Sequence, residues 1–452
     1  MRGLHNVAVL TLGLISLLFF IALPSVAQDK KHTPTEIARG RAALAESQGS
    51  TGGSSAAKYR FLLPVVARPL KGRVWISLSE IAQLPTSGPA WKAVLNNAEK
   101  DWGQPNVSDQ DSDHDVYTMA GALVCARTGH YCGKTVQALK SAIGTEVGEG
   151  SRWLAVGRNM TAYTIAADIL RAKGALAGQD LQDVNNWLSS FLTRTLPDNT
   201  SGEPHRFIPF ESGSNASAQE GAVYAAIAVY LGADAPKITH PLTGSTVRGG
   251  QHIERAWDAF RRYACDQSAP DYEDIRIHED SGWAHYDPNS KEKCAVNPMN
   301  ATKAVQGYPG FPDYPKEMRT DGAITNDMDR GCDPIWAPCY TRYPWVGLEG
   351  FVPAAYILHR AGYPAFELEN QAVFRSLDFL WWLDERTGED DWFLRDGDKQ
   401  DEIVFLVKAI YGKACNPVDG KDCMSEWTAE AVGDGRTIGF TDWTHSQIKP
   451  LD

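Results

Sequence analysis

The chain has 452 residues, 43% of them apolar, so it is long and apolar enough to bury a sizeable core. Its formal net charge of -12 excludes a partner held by a basic field, nucleic acid above all, and leaves room for an acidic sugar polymer only if arginines gather locally. Eight cysteines, an even number, point to disulfides and an oxidising compartment.

The first residues combine a basic start at Arg2, an apolar run from about Val7 to Leu23 and the small-residue pattern Ser25-Val26-Ala27. This predicts a secretory signal peptide over residues 1–27, with an uncleaved anchor as the alternative. Residues 28–57 are polar and end in QGSTGGSSAA, a flexible linker by composition, and residues 58–452 form the single predicted domain. No later apolar run approaches the ~18 residues a span requires, so the expected location is secreted or periplasmic, with no membrane association after cleavage. Tyr59 to Ser77 is apolar but broken by Pro64 and Pro69, which predicts extended packing.

Helical periodicity dominates from there on. Trp91, Val94, Leu95, Ala98 and Trp102 share one face, and Leu181, Val184, Trp187, Leu188, Phe191 and Leu192 repeat the pattern. Further helices are predicted near 116–127, 134–145, 158–173, 217–231, 252–263, 345–361, 370–384 and 402–411, with almost no strand alternation. The fold class is therefore all-α. AQEGAVYAAIAVYLGAD is small and apolar on every side, as a central helix would be, and Gly232 supplies its C-cap. The run SDQDSDHDV, with Asp109, Asp111, Asp113 and Asp115, lacks the glycine and glutamate of a calcium loop and reads as a solvated acidic turn. Three close cysteine pairs, Cys125 with Cys132, Cys332 with Cys339 and Cys415 with Cys423, leave Cys265 and Cys294 as a fourth. No CxxC or HExxH spacing occurs among these candidates, so no metal or cofactor is expected.

Several segments carry candidate chemistry. Arg158 and Asn159 open the helix RNMTAYTIAADIL, where they either touch substrate or cap the helix, while Tyr163 falls on the buried stripe. Asn215, in HRFIPFESGSNASAQEG, either donates its amide to a sugar carboxylate or shares helix capping with Ser214. RIHEDSGWAHYDPN gathers His278, Trp283, His285 and Tyr286, a general base and a stacking platform by residue type. Between Asp321 and Tyr363, charged and phenolic side chains crowd a cysteine-closed loop that feeds an apolar helix. Arg330 and Tyr343 carry most weight there, with Arg342 a substrate contact. Elimination from a uronic acid needs its carboxylate neutralised, its C5 proton removed and its leaving oxygen protonated, tasks that suit arginine or asparagine, then tyrosine or histidine. A hydrolase would need opposed carboxylates, for which Asp327, Asp329 and Glu349 are the candidates.

The order of RNMTAYTIAADIL, SNASAQEGAVYAAIAVYLGAD, DGAITNDMDRG, YPWVGLEGFVPAAYILHRAGY and GRTIGFTDWTH resembles the alginate lyase superfamily over roughly residues 90 to 445. Members of that superfamily fold as an incomplete α/α toroid and cleave uronate polysaccharides by β-elimination. The resemblance implies that Asn215 and Arg330 neutralise the carboxylate and that Tyr343 transfers the proton. Ala216 stands where that superfamily has a histidine, so a histidine would come from His278 or His285, and the Cys332 to Cys339 loop is inserted between Arg330 and Tyr343. The expected protein is thus a secreted polysaccharide lyase acting on an alginate or glucuronan type of polymer. A glycoside hydrolase on a similar toroid and a non-catalytic carbohydrate-binding protein are the alternatives.

Overall fold

Ten of the predicted helical stretches are helices, because in each the apolar spacing has a partner surface to fill. In the computed structural model the described residues are 74–148, 153–197, 204–239, 246–270, 294–304, 317–328, 343–387, 401–427, 438–448 and 450. The signal peptide and linker therefore lie outside the described residues. So do His278, Trp283, His285, Arg330, Arg342 and the Cys332–Cys339 pair.

In chain order the helices are α1 (Leu78–Ile81), α2 (Pro89–Glu99), α3 (His114–Thr128), α4 (Cys132–Ala142), α5 (Trp153–Lys173), α6 (Gly178–Phe191) and α7 (Asn215–Leu231). They continue with α8 (Gln251–Tyr263), α9 (Thr325–Met328), α10 (Tyr343–Arg360), α11 (Leu368–Thr387), α12 (Asp401–Tyr411), α13 (Cys423–Trp427) and α14 (Thr441–Thr444). Strands are confined, among the described residues, to three two-stranded antiparallel ribbons, Thr195–Pro197 with Pro204–Arg206, Ile238–Thr239 with Thr246–Val247, and Thr302–Ala304 with Glu317–Arg319. The protein is mostly helical, as its periodicity predicts.

The helices divide by burial into two kinds. α5, α7 and α10 are buried on nearly every side, whereas α4 and α6 bury a single stripe, Val136, Leu139 and Ala142 in one and Val184, Trp187, Leu188 and Phe191 in the other. α3, α5, α7 and α10 pack most extensively each on the next. They also run in one direction. His114 at the start of α3 meets Tyr163 midway along α5, and Lys173 reaches the Ala126 carbonyl near the ends of both. Gly157 lies against Gln219, and Arg171 donates to the Tyr230 carbonyl at 3.0 Å. Asn215 and Gly347 both meet Asp327, and one turn on Gln219 meets Glu349. Short returns at residues 129–131 and 174–177 make α4 and α6 antiparallel to the helices they follow.

α7 and α10 approach so closely that a Cβ on Gly350 would overlap the backbone of Ala218 and Gln219. Gly232 ends α7, its N–H donating to the Ala228 carbonyl, as expected of a C-cap. At the start of α11, Glu369, Asn370 and Gln371 all have positive φ. Arg375 holds that turn by donating to the Glu369 and Asn370 carbonyls, and it also reaches the Asn297 carbonyl and Asp321.

The two ends of the described chain come together where Trp443 donates its indole N–H to the Pro85 carbonyl at 2.8 Å. Nearby, Arg360 at the end of α10 forks onto Glu80 of α1 at 2.8 and 2.9 Å. Disulfides join Cys125 to Cys132, Cys265 to Cys294 and Cys415 to Cys423. Among the described residues no helix is long and apolar enough to cross a membrane.

Candidate functional site

Because α5, α7 and α10 are parallel and in register at their starts, their N-terminal ends lie together, where unpaired N–H groups and aligned peptide dipoles favour negative charge. Four buried polar side chains, Asn215, Gln219, Asp327 and Glu349, meet there in pairs. Ser214 is the N-cap of α7, its hydroxyl accepting from the Ser217 N–H, so Asn215 is released from capping and its amide makes a tertiary contact instead. Asn215 donates its backbone N–H at 3.2 Å and its side-chain Nδ2 at 3.0 Å to Oδ1 of Asp327, which α9 supplies from 112 positions away. One turn deeper, Gln219 Nε2 donates to Glu349 Oε2 at 3.0 Å. Asn215, Gln219, Asp327 and Glu349 are all 2% exposed or less.

Tyr343 opens α10 and is partly exposed. It stands one turn, roughly 6 Å along the axis, before Gly347. A Cβ on Gly347 would come within 2.8 Å of Asp327 Oδ2, so the helix backbone there lies directly against the carboxylate. Through Asp327 the structure brings Asn215 and the start of the Tyr343 helix to one place. The remaining candidates Arg330, Arg342, Trp283, His278 and His285 lie outside the described residues.

Arg158 and Asn159 are placed differently from the expectation. α5 begins at Trp153, so both sit more than a turn inside the helix and are buried, at 4% and 1% exposure. Neither is at a helix mouth, and neither caps. Asn159 Nδ2 donates to the carbonyls of Val107 at 3.3 Å and Asp109 at 2.9 Å, clamping α5 to the turn before α3.

The solvated acidic turn is also corrected at its last residue. α3 starts at His114, so Asp115 falls in its first turn and points into the interior, fully buried. Burial pushes its carboxyl well above the usual range, and the N–H groups of Asp115 and Val116 offset only part of that. Its neighbour His114 bonds Tyr163 OH through Nδ1 at 2.7 Å. Burial, aided by the Lys134 charge, lowers the imidazole to about 4, so it is neutral at physiological pH. Burial and the nearby Asp115 raise the Tyr163 phenol well above its ordinary value, consistent with its place on the core stripe. Sequence reasoning missed this His114–Tyr163–Asp115 group; the one available signal was the histidine that closes an acidic run just where helical periodicity begins.

Hollows lined by described residues lie outside the buried layer. A cavity of about 310 Å³ at the opposite end of the row is lined by Glu80, Tyr356, His359, Arg360, Ile410 and Thr444. An open hollow of about 520 Å³ beside α4 and α6 is lined by Lys140, Glu146, Asp183, Asn186, Trp187 and Arg194. Glu146 is tied down in it by the Trp187 indole at 3.1 Å and by the Arg194 guanidinium. Among the described residues the group near enough together to hold one ion is Cys415, Asp422 and Cys423, but its sulfurs are joined in a disulfide and offer no thiolate.

No family model, no curated protein and no solved structure matches this chain.

Proposed function

We propose that the protein is a secreted polysaccharide lyase that cleaves a uronic-acid polymer of the alginate or glucuronan type by β-elimination, on an incomplete α/α toroid. The row of parallel buried helices flanked by antiparallel amphipathic ones, with its first and last segments in contact, supports the toroid. The observation that carries the function is the meeting of Asn215 with the α10 segment that begins at Tyr343, through Asp327. In this reading the Asn215 amide and Arg330 neutralise the uronate carboxylate, which makes the C5 proton acidic enough to remove. Tyr343, exposed enough to reach solvent, takes that proton and returns one to the leaving oxygen. Only three positions of sequence separate Asp327 from Arg330, a span of at most about 11 Å however the chain runs. The N-terminal ends of several helices add a field that suits a polyanion.

Of the hydrolase candidates, Asp327 and Glu349 are fully buried and hydrogen-bonded to amides, a burial that Asn215 shares, so the two readings are separated by their products. Three disulfides and the absence, among the described residues, of a membrane-spanning helix suit an exported protein. A panel of alginate, glucuronan and neutral polysaccharides, read together by ultraviolet absorbance and by reducing ends, tests the proposal. A lyase gives both signals on a uronate, a hydrolase gives reducing ends alone, and a binding protein gives neither.

A further inference from the structure

We propose that Asp327 is a positioning residue that sets Asn215 against Tyr343, an inference that rests on the lyase reading of this site and deepens it. One carboxylate oxygen accepts both the backbone and the side-chain N–H of Asn215, at 3.2 and 3.0 Å, and both residues are buried. Water does not compete for bonds in such a place, so the two bonds to one oxygen hold their direction. A side-chain amide is planar and its nitrogen carries two protons. With one of them committed to Asp327, the plane of the amide is fixed, and the remaining proton and Oδ1 are presented in a set direction.

The other carboxylate oxygen faces α10. A Cβ at position 347 would lie 2.8 Å from Oδ2, so glycine is what lets the helix backbone close on the carboxylate. Tyr343 is one turn earlier on the same helix. Asp327 thus touches the first turn of α7 with one oxygen and the early turns of α10 with the other. Direct packing of α7 on α10 at Gly350 fixes how far apart the helices lie, and Asp327 fixes how the Asn215 amide is turned between them. Misplacing a catalytic group by about 1 Å can cost on the order of a hundredfold in rate.

The test uses the full chain and its Asp327→Ala, Asp327→Asn, Asn215→Ala and Asn215→Ala/Asp327→Ala variants, assayed on alginate and glucuronan. Asp327→Ala is expected to lower kcat by about a hundredfold with KM within about threefold, a loss of orientation rather than of binding. Asp327→Asn, which keeps the size and an acceptor oxygen, is expected to recover to within about tenfold of the unaltered protein. The double variant is expected to be no slower than Asn215→Ala alone, because Asp327 acts through Asn215; additive losses would overturn the proposal. A second readout is the side-chain amide proton pair of Asn215 in nuclear magnetic resonance spectra, assigned by its loss in Asn215→Ala. In Asp327→Ala that pair should shift and exchange faster with water; an unchanged pair overturns the proposal whatever the activity. If the unaltered protein releases no unsaturated product from either polymer, the lyase reading fails on its own, and the amide pair alone then decides the role of Asp327. Should Asp327→Ala not fold, Gly347→Ala, whose methyl would press on Oδ2, replaces it and must displace the same amide pair.

Discussion

Glu80→Gln should loosen the clamp that ties α1 to the C-terminal end of α10 by an amount that depends on pH. Burial by itself would raise the Glu80 carboxyl, but the Arg360 guanidinium and the hydroxyl and N–H of Ser77 outweigh it and hold the group at about 2 against an ordinary 4.5. That displacement corresponds to at most about 3.4 kcal/mol. Because the Glu80 side chain is 42% exposed, solvent screening reduces it, and about 1–2 kcal/mol is the expected share. A depressed carboxyl contributes fully above its unfolded-state pKa, so the stabilisation is complete above pH ~4.5 and is lost as pH falls towards 2. Urea unfolding, which leaves ion pairs unscreened, should show a gap of about 1–2 kcal/mol between the protein and Glu80→Gln at pH ~7 that shrinks to about a quarter of that by pH ~2.5. A gap of constant size across that range, or none at neutral pH, would refute the reasoning.

Asp115→Asn should stabilise the protein at neutral pH. The buried carboxyl has a raised pKa, so the unfolded chain gains stability by ionising above pH ~3.8, and urea unfolding should show a benefit on the order of 1 kcal/mol that disappears in acid. Gly350→Ala should force α7 and α10 apart and cost about 1–3 kcal/mol or more, despite the better helix propensity of alanine, as measured by thermal unfolding. Arg375→Met should cost about 3–5 kcal/mol in urea, because it strands the Glu369, Asn370 and Asn297 carbonyls and leaves the Asp321 carboxylate without its guanidinium. Thiol titration of the denatured, unreduced protein should find no free cysteine, since the three bridges above leave only Cys332 and Cys339, which are expected to pair with each other.

Much of the scaffold was legible because it depends on local spacing. The Trp91, Val94 and Ala98 stripe, the apolar run of α7 and the glycine that ends it each declare themselves within a few residues, and each is where the pattern puts it. The site was less legible because its contacts are distant in sequence. Nothing near Asn215 announces that Asp327 will accept its amide, and nothing near Tyr163 announces His114. The acidic run misled at Asp115 because four aspartates look alike until the helix start decides which one turns inward. Arg158 and Asn159 misled for a similar reason. The helix begins at Trp153, and an extra turn carries both residues from the expected mouth into the interior. The paired ribbons, two or three residues a side, are too short to carry a period at all.

The most direct test of the proposed chemistry compares the protein with Tyr343→Phe on alginate and glucuronan, following ultraviolet absorbance and reducing ends together after circular dichroism has established equal folding. β-Elimination with Tyr343 as the proton carrier requires both signals from the unaltered protein and neither from Tyr343→Phe. Reducing ends without absorbance from the unaltered protein, or undiminished turnover by the variant, would contradict it.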